Sequence, residues 1–351
     1  MGLAGCILRL YTVSLVARIR NEFRNVTSMT HVIRLQAIVP EELSGKRLDQ
    51  VLATLFGDYS RSRLQHWVRE GRVTVDGQLL QSKDKVFAGA RLELEAMPEA
   101  EVEWQPEAIS LAIVYEDADL LVINKTAGMV VHPATGNWQG TLLNALLHHA
   151  PQLAQVPRAG IVHRLDKDTT GLLVIAKTLT AQTALVTQLQ ARAFLREYDA
   201  VVTGVMTAGG TVTAPIGRHP VDRKRMAVTP NGKPAVSHYR VVKRYRGHTH
   251  IKVWLETGRT HQIRVHMAHI RFPLVGDVVY GGRLKLPAGC SETLRETLRG
   301  FRRQALHATR LGLAHPLDGE ILQWEAPLPD DLRSLLKALQ DDLTSQDDEP
   351  Q

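Results

Sequence analysis

Residues 163–171 read His-Arg-Leu-Asp-Lys-Asp-Thr-Thr-Gly and run straight into five apolar residues, Leu172, Leu173, Val174, Ile175 and Ala176. A dense polar cluster followed by an unbroken apolar run is a charged loop feeding a buried strand. Rigid scaffolds present chemistry at such junctions. Asp166 is the candidate nucleophile. Taken by itself, it is better explained as a structural ion-pair partner of Arg164 or another arginine. Asp168 would share a face with Asp166 in an extended segment, but the paired carboxylates of glycosidases flank a sugar and normally come from separate elements. Asp168, Thr169 and Thr170 better suit hydrogen bonding within the loop.

Upstream of this stretch, residues 112–115 and 120–124 read as two strands joined by the turn Glu116-Asp117-Ala118-Asp119. Leu142, Ala145 and Leu146 then repeat at helical spacing. Downstream, Ala181, Ala184, Leu185 and Leu189 predict an amphipathic helix, and Tyr198 opens another strand. Residues 207–234 are rich in Gly, Pro, Thr and Arg and read as a long basic loop ordered by a partner. Residues 238–244 and 249–257 predict a hairpin, with Ile251, Val253 and Leu255 alternating. Gly258-Arg259-Thr260 turns into a helix over 261–269. Residues 281–304 read as a second basic insertion, and Asp330 as the cap of a last helix carrying Leu332, Leu335, Leu336 and Leu339. Hairpins alternate with single helices without a regular βαβ rhythm. The fold class is therefore α+β with a mainly antiparallel mixed sheet.

A smaller unit precedes this domain. Leu48, Val51, Leu52 and Leu55 predict one helix; Leu64, Trp67 and Val68 predict a second, which Ser60 can cap. Arg61, Arg63, Arg69 and Arg72 accompany the second helix. Residues 73–75 form a strand running into an Asp76-Gly77 turn, and 86–94 supply another. Helix, basic helix, then strand-turn-strand resembles the S4 RNA-binding fold, in which such a helix lies against phosphates. A merely solvated helix face is the plainer alternative. Residues 95–108, with five Glu and two Pro, read as a linker. The expected layout is an N-terminal extension over 1–30, an S4-like RNA-binding domain over 31–100, a catalytic domain over 101–340 and an acidic disordered tail over 341–351.

Composition narrows the chemistry. Among 351 residues, 43 Lys and Arg face 36 Asp and Glu. The last 11 residues hold four Asp and one Glu, so the body is more basic than the whole suggests. A polyanionic partner such as nucleic acid fits. Two cysteines, Cys6 and Cys290, can build neither a disulfide framework nor a cysteine zinc site, and a reducing cytoplasm fits them. No Gly-x-Gly-x-x-Gly or Walker-type loop occurs. His261, His266 and His269 do not share a helix face with an acidic partner, so no metal is expected. Leu3-Ala4-Gly5-Cys6 lacks the basic and apolar lead of a lipoprotein signal, and Cys6 stands where a myristoylation signal wants Ser or Thr. The arginines of the first 24 residues resemble a transit peptide, but a start at Met29 is the preferred reading.

With these residues in view, His-Arg-Leu-Asp-x-x-Thr-Thr-Gly at 163–171 resembles the signature of the RluA-type pseudouridine synthases. Val114-Tyr115-Glu116-Asp117 with Leu121-Val122-Ile123-Asn124-Lys125 resembles that family's opening hairpin. Gly258-Arg259-Thr260-His261-Gln262-Ile263-Arg264-Val265-His266 resembles its arginine motif; Gly276-Asp277 and Gln304-Ala305-Leu306-His307-Ala308 fit too. Thr126 departs from the usual Pro after Asn-Lys, and Arg196 from a frequent Lys. The resemblance implies isomerisation of uridine to pseudouridine in RNA, with 23S rRNA and several uridines of its helix 69 stem-loop as the target, by a monomer. It implies no cofactor, since the reaction is redox-neutral. It implies Asp166 as nucleophile, Arg259 as the arginine paired with it, and Tyr198 near the base as a candidate to take the C5 proton. Ile263 would pack under the base, and Arg164 would fill the gap left by a flipped nucleotide. The same chemistry on tRNA or another rRNA site, or a non-catalytic ribosome-assembly factor that binds RNA, are the alternatives.

Overall fold

The computed structural model describes residues 33–57, 59, 61–96, 104–133, 136–222 and 225–345. The N-terminal extension, the Ser60 cap and Arg223-Lys224 of the basic loop lie outside the described residues. The chain divides into two compact units, one ending at residue 103 and one starting at Trp104.

In the smaller unit, β1 (Ile33–Ile38), α1 (Leu48–Leu55), α2 (Arg61–Arg69), β2 (Val73–Val75) and β3 (Arg91–Ala96) follow in order. The strands form an antiparallel sheet in the order β1-β3-β2. Leu48, Val51 and Leu52 pack with Leu64, Trp67 and Val68 over Val73, Leu92 and Leu94, as the helical spacing demands. Asp76 and Gly77 both take positive φ, 50° and 75°, which is what a two-residue Asp-Gly hairpin turn needs. The second strand was expected over 86–94 but begins at Arg91. Val86 is instead held in a loop, its amide donating to the Lys46 carbonyl.

The larger unit is built on a nine-stranded sheet. Its elements are β4 (Ile113–Glu116), β5 (Leu120–Lys125), α3 (Leu142–His149), β6 (Thr170–Ala176), α4 (Leu179–Gln190), β7 (Leu195–Thr203), β8 (Gly210–Thr213), β9 (Ile216–Arg218), β10 (Met226–Val228), β11 (Val236–Arg244), β12 (His248–Leu255), α5 (Gln262–His269), α6 (Glu292–Gly300), β13 (Leu306–Ala314), β14 (Ile321–Glu325) and α7 (Asp330–Thr344). The strand order is β4-β5-β6-β13-β7-β12-β11-β8, with β14 on the far half of β13; β9 and β10 form a separate ribbon. Only β6 and β13 pair in parallel; the other pairings between named strands are antiparallel.

Every residue of β6 is buried, which explains its unbroken apolar run. Leu173 and Ile175 face a core shared with α3, while Leu172, Val174 and Ala176 face one shared with α4. Gly171, the second residue of this strand, takes φ 114°, and a methyl group there would lie 2.3 Å from the Ala308 carbonyl oxygen. Only glycine permits β13 to come this close.

Several sequence expectations change. Residues 207–234 hold three short strands rather than one long loop, because β8 finds a distant partner in β11. Residues 281–304 contain α6, whose Leu294 and Leu298 pack with Leu332, Leu335 and Leu339 of α7. The cap of α7 is Pro329 rather than Asp330, and the helix runs through Thr344. The acidic tail therefore starts helical, and residues 346–351 lie outside the described residues. Residues 104–107 belong to the larger unit rather than to a linker, since Gln105 and Glu107 hydrogen-bond to Asn144. Among the described residues no helix is long and apolar enough to cross a membrane. Gly171→Ala is expected to destabilise the larger unit by about 3 kcal/mol or more through this backbone clash; the denaturant midpoint of that unit checks it.

Candidate active site

The loop ahead of β6 is fastened from three sides. His163 folds it back on the strand: the Val174 amide donates to His163 Nε2 at 3.2 Å. Burial, helped by the nearby Arg196 charge, pushes the His163 pKa down to about 3, so the ring is neutral and can accept that bond. Gln304 Nε2 donates to Thr169 Oγ1 at 2.9 Å, and Thr170 Oγ1 lies 2.8 Å from His307 Nδ1. Arg303 Nη1 donates to the Asp168 carbonyl at 3.2 Å. Lys125, only 2% exposed, donates from Nζ to the carbonyls of Thr126, Met129 and Lys167 at 2.8, 3.1 and 2.8 Å. Burial lowers the Lys125 pKa to about 8, against the pull of Asp168 and Asp166. Asp168 thus hydrogen-bonds within the loop's framework as expected, through its backbone carbonyl.

This fastening leaves Asp166 facing a cleft of about 1130 Å³. Its Oδ2 accepts from Arg264 Nη1 at 3.0 Å. Arg264 is itself gripped by Asp277, with Nε–Oδ2 at 2.7 Å and Nη2–Oδ1 at 3.0 Å. The Asp277 side chain is fully buried, and Oδ1 also accepts from the amides of Val279 and Tyr280. Burial alone would raise the Asp277 pKa; the Arg264 guanidinium and the two amides outweigh it and hold the group below the usual carboxylate range. The Arg264 guanidinium also lies 5.0 Å from the Tyr280 ring centre. His261, at the start of α5 with φ 56°, places Nδ1 2.8 Å from the Tyr280 hydroxyl and Nε2 3.9 Å from Asp166 Oδ1. Burial lowers its pKa although Asp166 opposes this.

The predicted residues are placed as follows. Asp166, Arg164, Tyr198, Arg259 and Ile263 all line the cleft. Tyr198 and Ile263 are buried in its apolar wall, and burial raises the Tyr198 pKa, keeping the phenol protonated. Arg164 is exposed. Arg259 is not the partner of Asp166. It sits in the turn before α5, with Nε donating to the Pro234 carbonyl at 3.1 Å and its amide to Gln262 Oε1. The helix begins only at Gln262, so Arg264, on its first turn, is the arginine turned towards Asp166. Arg264 and Asp277 were missed as a site; the second arginine of the 258–266 motif and the Gly-Asp pair after it were the available signal. His266 is engaged by the Ser237 hydroxyl and the Ala214 carbonyl, at 2.9 Å each.

In the smaller unit, Arg61 donates to the buried Asp49 from Nε and Nη2, at 3.2 and 2.7 Å, and so ties α2 to α1. Arg72 pairs with Glu70 at 2.9 Å, Arg69 donates to the Gln65 carbonyl, and the Arg63 guanidinium lies 5.4 Å from the Trp67 ring centre. Arg61 and Arg72 therefore have structural partners besides any phosphate.

The site is thus an arginine-held aspartate beside a buried tyrosine in an arginine-rich cleft, and comparison with known proteins gives it a family. Residues 119–269 match the RNA pseudouridylate synthase family, and residues 46–92 match the S4 domain. The ribosomal large subunit pseudouridine synthase D of Pseudomonas aeruginosa is 61% identical over 314 residues, covering 90% of this chain and 98% of that protein. That of Escherichia coli K12 is 55% identical over 322 residues, covering 92% and 99%. The solved structure of human RNA pseudouridylate synthase domain containing 4 superposes with a TM-score of 0.52 at 26% identity, covering 65% of this chain and 93% of that one. The chain belongs to the RluA-type pseudouridine synthase family, with an S4 domain ahead of the synthase domain.

Two outcomes follow from this geometry. Asp277→Asn leaves Arg264 its bond to Asp166 but loosens the guanidinium's grip, so kcat for pseudouridine formation is expected to fall roughly 10- to 100-fold with little change in KM; single-turnover kinetics read this. The folded-state pKa of His163 is depressed, so the unfolded chain takes up the proton first. Stability contributed by the neutral ring is present above about pH 6.5 and is lost as pH falls towards 3. His163→Gln keeps an acceptor for Val174 and is expected to remove about 1.4 kcal/mol per pH unit of that acid slope, measured by denaturant unfolding at pH 7 and 5.

Proposed function

We propose that the protein converts uridine to pseudouridine in the RNA of the large ribosomal subunit, at several uridines of the helix 69 stem-loop of 23S rRNA. The observation that carries the chemistry is the Asp166 carboxylate, held by Arg264 at 3.0 Å and facing the cleft lined by Tyr198 and Ile263. The target is supported by relatives bearing the name ribosomal large subunit pseudouridine synthase D, which align over nearly their whole length.

The N1–C1′ bond of the uridine breaks, the uracil turns, and C5 bonds to C1′ while the C5 proton leaves. Atoms and electrons balance without a co-reactant. A stacked, paired uridine hides C1′ and C6, so the nucleotide must flip into the cleft. Asp166 acts there as nucleophile and Ile263 supports the base; Tyr198, whose phenol burial keeps protonated at rest, takes the C5 proton only as it passes its own phenolic proton to solvent. Arg164, exposed at the cleft, fills the vacated stack. Arg259 lines the cleft wall, and the arginines of α2 offset the cost of unstacking through phosphate contacts.

Mapping pseudouridines in rRNA and tRNA from wild-type and deletion cells tests the target. Loss confined to helix 69 is expected. Loss in tRNA or elsewhere in rRNA would redirect the substrate, and no loss anywhere would favour an assembly factor. Asp166→Asn is expected to abolish isomerisation while retaining RNA binding by gel shift. Turnover near wild type in this variant would remove Asp166 from the nucleophile's role.

A further inference from the structure

Of the chain's five tryptophans, only Trp138 is mostly exposed, at 56%. Its ring lies nearly parallel to that of Trp104, with centroids 6.3 Å apart and planes at 15°. Trp104 in turn lines the cleft that holds Asp166. Fully burying a large apolar side chain is worth roughly 1.5–3 kcal/mol. Trp138 forgoes most of this.

The arrangement is built rather than incidental. Both Glu107 carboxylate oxygens accept from the Gly140 amide, at 3.0 and 3.1 Å. The Glu107 amide donates to the Asn144 carbonyl, and Asn144 Nδ2 donates to the Gln105 carbonyl at 2.8 Å. Asn144 also closes a capping box with Thr141 at the start of α3. The segments carrying Trp104 and Trp138 are therefore tied to each other and to one helix terminus. Two exposed arginines, Arg158 and Arg164, line the same cleft and form no ion pair with a carboxylate among the described residues.

We propose that the Trp104–Trp138 pair is a stacking platform for an unpaired nucleobase adjoining the uridine that enters the cleft. The proposal rests on the stem-loop RNA substrate argued above. A flat aromatic face at the edge of a cleft that also carries exposed guanidinium groups is the chemistry that holds single-stranded RNA, base on ring and phosphate on arginine. A protein partner suits it less well. One aromatic ring buries about 150–250 Å², against roughly 800 Å² for each side of a stable protein interface.

The test uses the full chain and a stem-loop RNA carrying the target uridines. Trp138→Ala is expected to raise KM about tenfold while single-turnover kcat holds, and Trp138→Phe to restore most of the affinity. An abasic scan of the loop then identifies the occupant: at one position, removing the base should abolish the difference between wild type and Trp138→Ala. Unchanged KM in a folded, active Trp138→Ala protein would overturn the platform alone. So would a KM effect of equal size on every abasic RNA. Failure of the wild-type protein to isomerise any stem-loop uridine would overturn the substrate reading and the platform together.

Discussion

One guanidinium serves two carboxylates in this protein. Arg264 gives two of its nitrogens to Asp277 and a third to Asp166. The two contacts differ in kind. Asp277 is fully buried and anchored by two backbone amides, so it fixes where the guanidinium points. Asp166 retains contact with the cleft. A buried ion pair contributes little net stability once desolvation is counted, but removing one member leaves a costly orphan. The cluster is therefore better understood as a device for orientation, with the fixed carboxylate of Asp277 aiming the arginine and the arginine aiming Asp166.

The sheet supplies the frame for that device. Asp166 is delivered by the loop before β6 and Arg264 by α5, 98 residues later. The parallel pairing of β6 with β13 sets one side: His307 lies opposite Thr170 and Ala308 opposite Gly171. Gln304 and Arg303, just ahead of β13, then reach the loop. The residues leading into β13 thus hold the loop on one side, while Arg264 of α5 meets Asp166 on the other.

Much of this was legible in the sequence where the signal is local. The apolar run of β6 declares burial on both faces, and the alternation along β12 declares its strand. The Asp76-Gly77 turn follows from residue chemistry alone. What failed was non-local. The three short strands between Gly210 and Val228 are dense in residues that favour loops; β8 exists because the distant β11 pairs with it, and β9 and β10 because they pair with each other. In α6 only Leu294 and Leu298 are buried, too few to outweigh its charged residues when read alone. The choice between Arg259 and Arg264 turned on where a helix starts, and His261 in a left-handed conformation sets that start. Helix boundaries are the least legible feature of a single sequence.

The manner in which the loop over residues 163–169 is pinned governs how the chain can vary. Lys125 and Arg303 grip positions 167 and 168 by their backbone carbonyls. A carbonyl is the same whatever side chain its residue carries. These are the two positions that the pattern His-Arg-Leu-Asp-x-x-Thr-Thr-Gly leaves open. Mutational drift there leaves the address of Asp166 unchanged, whereas Thr169 and Thr170 are held by their hydroxyls and carry no such freedom. The motif thus records which atoms the fold reads: side chains where letters are fixed, main chain where they are not.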